Sequence, residues 1–167
     1  MNPQSGLPES TPRVLLAFAL IGLGAILVLA DLSPLFAARS ARHAEVAQAC
    51  RVALAPTCHQ RAERSLHVGH VALASCARCV GLHAGGLLGG LVLLLWTNSV
   101  PSRARALVLA ATAVLMIDVA AGALTSWDHA LIRLVTGLVF VVALALAAGS
   151  SLERGPQWRL PMRAVRI

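Results

Sequence analysis

Three of the chain's four cysteines gather with a histidine in one short stretch, CHQRAERSLHVGHVALASCARCVG, running from Cys58 to Gly81. Cys58 and His59 are adjacent, and a Cys-x-x-Cys follows at Cys76 and Cys79. Two thiolates three residues apart can close a chelate on one metal ion, and a distant Cys–His pair can complete a tetrahedral set. Cys58, His59, Cys76 and Cys79 are therefore the candidate metal ligands. Cys58 and His59 stand closer than the usual zinc pair, which leaves open which of the two ligates. If a helix starts at Cys76, then Cys76, Cys79 and His83 share one face, and His83 becomes a candidate further ligand one turn deeper. Zinc fits this donor set best; soft thiolates also accept copper(I) or an iron cofactor. His67 and His70, in the same stretch, read as solvated loop histidines.

The same residues support a second chemistry and a third, non-chemical role. A Cys-x-x-Cys at a helix N-terminus has a depressed thiol pKa, as a membrane thiol–disulfide oxidoreductase coupled to a quinone would need. Cys50 and Cys58 would then form the relaying pair in the loop. Alternatively, the cysteines staple a non-catalytic assembly or structural subunit, by zinc or by a disulfide.

The elements that must hold these residues are apolar helices. Hydrophobic residues make up 57% of the 167, charged residues 13%, and the mean hydropathy is +0.76. A soluble domain carries about a quarter charged residues, so the composition points to an all-α membrane protein, with the lipid bilayer as its solvent. A span needs about 20 apolar residues, and the runs place four transmembrane helices at about 14–34, 78–97, 106–125 and 131–149 in one domain, 13–150. Residues 1–12 read as a disordered leader and 151–167 as a basic tail. The first apolar run, Val14 to Ala30, is longer than a secretory core and lacks a small-residue cleavage site, so it reads as a retained span. One polar loop, 37–75, separates the first two spans; its alanine-rich first half is helical up to a stop at Pro56, and no strand is expected in it. Trp96 closes the second span, Pro101 to Arg105 makes a basic turn, and residues 126–130 turn the chain between the third and fourth spans.

The formal charge is +7, and every basic residue other than histidine is arginine. Arginines beside apolar spans set orientation and touch headgroups, and no nucleic-acid role is expected. Arg103, Arg105 and the four arginines of the tail place both termini in the cytoplasm of a bacterial inner membrane with the 37–75 loop outside. Arg39, Arg42, Arg51, Arg61 and Arg64 in that loop pull the other way.

Two further features concern packing and charge. Gly81, Gly85 and Gly89 recur every four residues, with Gly86 and Gly90 beside them; small residues at that period let a second helix approach closely, from this chain, a partner or a homo-oligomer. Asp118 stands inside the third span, where a carboxylate is costly and needs protein or water to face. Its candidate partners are Arg133, Arg64 and Arg78, giving a set of supporting or relay groups around the cysteines.

These residues together resemble the DUF2085 family of small bacterial and archaeal membrane proteins. The resemblance rests on Cys58-His59-Gln60, Arg64-Ser65 and Cys76-Ala77-Arg78-Cys79-Val80-Gly81. A second match follows: Asp118 in the third span, then Arg133, Thr136 and Gly137 opening the fourth. It covers roughly residues 50–145 and implies a membrane protein with no established activity. His83 stands where the family pattern carries an aromatic residue, and Cys50, His67 and His70 lie outside it.

Overall fold

The computed structural model describes residues 11–95, 104–124 and 129–153. The leader up to residue 10, Trp96, the 101–103 part of the basic turn, residues 126–128 and the tail from 154 lie outside the described residues.

Among the described residues, five α-helices and a two-stranded hairpin form in the order α1 (Thr11–Leu32), α2 (Ala41–Leu54), β1 (Ser65–Val68), β2 (Val71–Cys76), α3 (Ala77–Leu95), α4 (Ala104–Leu124) and α5 (Ala130–Glu153). A 3-10 segment, Ser33–Arg39, follows α1, with Pro34 at its start. Four stretches of the described residues are long and apolar enough to cross a membrane: Thr11–Arg39, Ala77–Leu95, Ala106–Leu124 and Ala130–Leu152. Their apolar side chains face outward: Leu15, Ile26, Leu109, Ile117 and Leu131 all stand exposed. An outer surface of this kind suits hydrocarbon, not water.

The loop between the first two spans is ordered. Ser40 caps α2, its hydroxyl oxygen accepting the N–H of His43 at 3.3 Å, which meets one of the donors that a helix start leaves open. The helix ends two residues before Pro56, as a proline that cannot continue a helix dictates. The hairpin departs from the expectation of a strandless chain. Val68 pairs with Val71 and Ser65 with Cys76 in antiparallel register, around a two-residue turn whose first residue, Gly69, has φ +62. Glycine in that first central position is what a tight hairpin turn demands, and the short flanking runs are too brief to announce a strand by periodicity.

The helices do not close into a symmetric bundle. α3 lies at the centre, packed against α1 on one side and α5 on the other, while α4 packs chiefly on α5. The glycines of α3 make this possible on two faces at once. A Cβ on Gly85 would sit 2.7 Å from the carbonyl oxygen of Leu138 in α5, and one on Gly81 would run into the carbonyl oxygen of Leu134. On the other face, a Cβ on Gly90 would lie 2.7 Å from the Ala17 carbonyl oxygen of α1. The Gly81, Gly85 and Gly89 face, one expected seat for a partner helix or a second copy, is thus filled by α5 of the same chain. Backbones brought together this closely gain van der Waals contact, the term that drives helix association where lipid removes the hydrophobic one.

Candidate metal centre at the head of α3

Each thiol arrives from a different local structure. Cys58 stands in the turn that ends α2, its N–H donating to the Leu54 carbonyl at 3.0 Å. Cys76 is the last residue of β2 and Cys79 lies in the first turn of α3. The hairpin therefore delivers Cys76 at the mouth of α3, next to Cys58. The three sulfurs all lie within 4.8 Å of one another, with Cys58 and Cys76 buried and Cys79 half-buried.

The hydrogen bonds at this cluster favour charged sulfur at Cys76. The backbone N–H of Cys76 donates to Cys58 Sγ at 3.2 Å, and the sulfurs of Cys76 and Cys79 are 3.5 Å apart. The Cys76 thiol is held down from its ordinary 9.0 to about 5, chiefly by its hydrogen bond with the Cys79 side chain. Burial opposes that shift; the backbone of Cys79, the side chain of Cys58 and the charge of His59 add to it. A thiolate stabilised this way near neutral pH is both the metal-binding and the nucleophilic form. All four cysteines are free thiols, and Cys50, half-buried on α2, is not in the group.

The histidines divide. His59 is exposed beside Cys58, and its Nδ1 accepts the N–H of Arg61 at 3.1 Å. His83 turns away from the thiols to a partner on α1, with Nδ1 2.8 Å from Asp31 Oδ2. His67 is exposed and pairs with the Ser65 carbonyl at 3.0 Å, and His70 is also exposed.

The residues around the thiols hold the loop in shape. Gln60 adopts φ 51, a left-handed conformation that costs a non-glycine residue energy unless its surroundings fix it. Its amide nitrogen donates to the Arg51 carbonyl of α2. Ser65, almost fully buried, donates to the Arg61 carbonyl at 2.9 Å, and the Arg64 N–H donates to the same oxygen at 3.0 Å. The residues between the cysteines thus fold back on one carbonyl.

A second polar group sits behind the first. Arg78, between Cys76 and Cys79, donates to Asp118 Oδ2 of α4 from Nε at 3.0 Å and from a terminal nitrogen as well. Thr136 Oγ1 of α5 donates to the same oxygen at 3.3 Å. Arg133, buried at the head of α5, reaches α4 at Gly122, where a Cβ would meet its guanidinium. Gly137 lies against the Arg78 carbonyl, which a Cβ there would approach to 2.5 Å. Arg78, Asp118, Arg133, Thr136 and Gly137 therefore form one three-helix junction. Arg78, one of the three arginines expected to partner Asp118, bonds it.

Sequence reasoning passed over Asp31. This carboxylate is fully buried, with Oδ2 on His83 and Oδ1 without a hydrogen-bond partner. Its signal was the one applied to Asp118, an acidic residue in an apolar run, but its place at the end of that run gave it the look of a flanking residue.

No curated protein and no solved structure matches the chain. The family model described as "Predicted membrane protein (DUF2085)" matches residues 58–147, from the first thiol of the cluster through most of α5. The chain belongs to the DUF2085 family of membrane proteins.

Proposed function

We propose that the chain carries a zinc centre at the head of α3, with Cys58, Cys76 and Cys79 as thiolate ligands. One observation carries this reading: three sulfurs from three separate backbone segments converge within 4.8 Å. Tetrahedral zinc with Zn–S of about 2.3 Å sets its sulfurs about 3.8 Å apart, so the free-thiol geometry is close to a bound one. The fourth ligand is His59, which exchanges its hydrogen bond from the Arg61 N–H for the metal. Such a closed site would be structural, whereas an open fourth position would suit catalysis. Arg78, Asp118 and Arg133 support the site from behind, and Arg64 holds the loop.

Cobalt(II) loading of the purified protein tests the ligand set, and the metal content of the protein as purified distinguishes zinc from copper and iron. Thiolate-to-cobalt charge-transfer bands should appear in the wild type. They should weaken in each of Cys58→Ser, Cys76→Ser and Cys79→Ser and stay unchanged in Cys50→Ser. A wild type without such bands would sink the proposal.

A second reading is favoured by the 3.5 Å approach of the Cys76 and Cys79 sulfurs and by the lowered Cys76 thiol. In a thiol–disulfide oxidoreductase these two residues would form the disulfide, passing two electrons and two protons to a quinone that leaves as quinol. Quinone reduction by the metal-free dithiol form would single this reading out. For either centre we propose a bacterial inner-membrane location, both termini cytoplasmic and the 37–75 loop outside, supported by Arg103, Arg105 and the arginines of the tail; reporters fused to each terminus test it.

A further inference from the structure

Among the described residues, no carboxylate and no imidazole joins Cys58, Cys76 and Cys79 in their group. His59 accepts the Arg61 N–H at Nδ1, and a neutral ring that accepts at one nitrogen carries its proton on the other. While that bond stands, neither nitrogen of His59 is free to ligate. The site then offers three sulfurs and no other donor. Cations that need oxygen ligands are poorly served here; the set suits a soft centre content with three bonds.

Charge narrows the choice. Cys58 and Cys76 are buried at the head of an apolar helix, where net charge is costly. Three thiolates leave one negative charge around a divalent ion and two around copper(I). Around a trivalent centre they leave none. The Arg78 guanidinium, on the residue between Cys76 and Cys79, is already bonded to Asp118, so it is not there to offset a surplus.

Trivalent arsenic is soft, and its lone pair takes the fourth position, so it forms a three-bonded pyramid with angles near 90°. With bonds of roughly the Zn–S length, about 2.3 Å, such a pyramid sets its sulfurs about 3.3 Å apart, against about 3.8 Å around tetrahedral zinc. The sulfurs of Cys76 and Cys79 already stand at 3.5 Å, and Cys58 lies within 4.8 Å of both. Closing the pyramid requires only that Cys58 draw in.

We infer that Cys58, Cys76 and Cys79 bind trivalent arsenic as a three-thiolate site. The inference rests on the same convergence of thiols as the zinc reading, but not on zinc itself. Arsenic arrives as arsenous acid, As(OH)3, which is uncharged at neutral pH. Each of its three As–O bonds breaks as an As–S bond forms, and each thiol proton leaves with the displaced hydroxide as water. Nothing is oxidised or reduced. Entry is from the side of Cys79, the half-buried thiol, whose sulfur lies 4.0 Å from the carbonyl of exposed Thr57.

Sodium arsenite added to the reduced, detergent-purified protein, with and without a zinc chelator, tests the site. Arsenic and zinc per chain are measured after desalting, thermal unfolding is recorded for every variant, and X-ray absorption at the arsenic edge counts the neighbours. About one arsenic per chain should be retained, with three sulfur neighbours and no oxygen. Cys58→Ser, Cys76→Ser and Cys79→Ser should each lose it, and Cys50→Ser should keep it. His59→Ala should hold less zinc than the wild type and as much arsenic. The neighbour count on the wild type stands even where a cysteine variant fails to fold. Two sulfur neighbours with oxygen remaining, arsenic kept in a folded Cys58→Ser protein, or arsenic lost in a folded His59→Ala protein would each overturn the inference. A wild type that binds zinc but takes no arsenic even with the chelator would overturn it too, and leave the zinc centre standing. Arsenic held by three sulfurs in a protein that holds no zinc would support it and count against the zinc centre.

Discussion

Arg78 Nε donates to Asp118 Oδ2 at 3.0 Å, tying the residue between the two thiols of Cys-x-x-Cys to a helix that otherwise packs chiefly on α5. The pair is largely shielded, with side-chain exposures of 23% and 12%. Removing one partner leaves the other charge uncompensated.

Asp118→Asn should therefore cost about 2 kcal/mol, less than a fully buried pair because Arg78 retains some exposure. Thermal unfolding in detergent reads this directly. Arg78→Lys should itself cost part of that amount, since an ammonium cannot reproduce the forked contact from two nitrogens. A double variant no worse than the single ones would confirm that the two residues act through each other.

The glycines of α3 make a sharper steric prediction. Gly81→Ala and Gly85→Ala should each destabilise the protein by about 2 kcal/mol or more, because the new methyl meets backbone carbonyl oxygens of α5 that have no room to retreat. Gly22→Ala on α1 is the control: nothing lies within 4 Å of its added Cβ, so it should be neutral or up to about 1 kcal/mol stabilising. Equal effects at positions 22 and 81 would contradict the packing described.

Thiol titration follows from the Cys76 environment. Its pKa is lowered to about 5, so the metal-free protein should keep the Cys76 thiolate as pH falls from neutral and lose it only as pH passes about 5. An ordinary thiol retains under about 1% thiolate at pH 6. Alkylation of Cys76, followed by peptide mass spectrometry against pH, gives the profile. In Cys79→Ala, which removes the main cause of the shift, the profile should move back toward alkaline pH. An identical profile in the two proteins would show that Cys79 does not hold the thiolate.

The Asp31–His83 pair carries its own test. Asp31→Ala leaves the imidazole without the carboxylate on α1 and opens a space at a fully buried position, so a loss of about 2–3 kcal/mol is expected. Because His83 turns toward α1 and not toward the thiols, metal content in that variant should stay at the wild-type level. Metal loss in a still-folded Asp31→Ala protein would instead make the pair part of the centre.

The spans were legible because hydrocarbon imposes length and composition on any helix that crosses it: the expected 78–97 and 106–125 correspond to Ala77–Leu95 and Ala104–Leu124. The first motif was legible because metal-binding spacing is local. What brings Cys58 to Cys76 was not: a hairpin of four and six residues turning on Gly69 is too short to show a period. Long-range pairings were harder still. Asp118 was recognisable as a buried charge, yet three arginines competed for it, and only the packing of α3 beside α5 reveals its bond with Arg78. His83 shared a helical face with Cys79, and the helix period alone could not reveal that Asp31 on another helix would take its Nδ1.

The central claim is that Cys58, Cys76 and Cys79 hold one metal ion. Its most direct test is metal per chain by mass spectrometry on protein purified from membranes without added metal, with free thiols counted on the same sample. The account predicts about one zinc per chain, lost in Cys76→Ser, and three thiols of the wild type, those of Cys58, Cys76 and Cys79, that become reactive only after chelation. A wild type with no bound metal and a reducible disulfide in place of the thiols would contradict it.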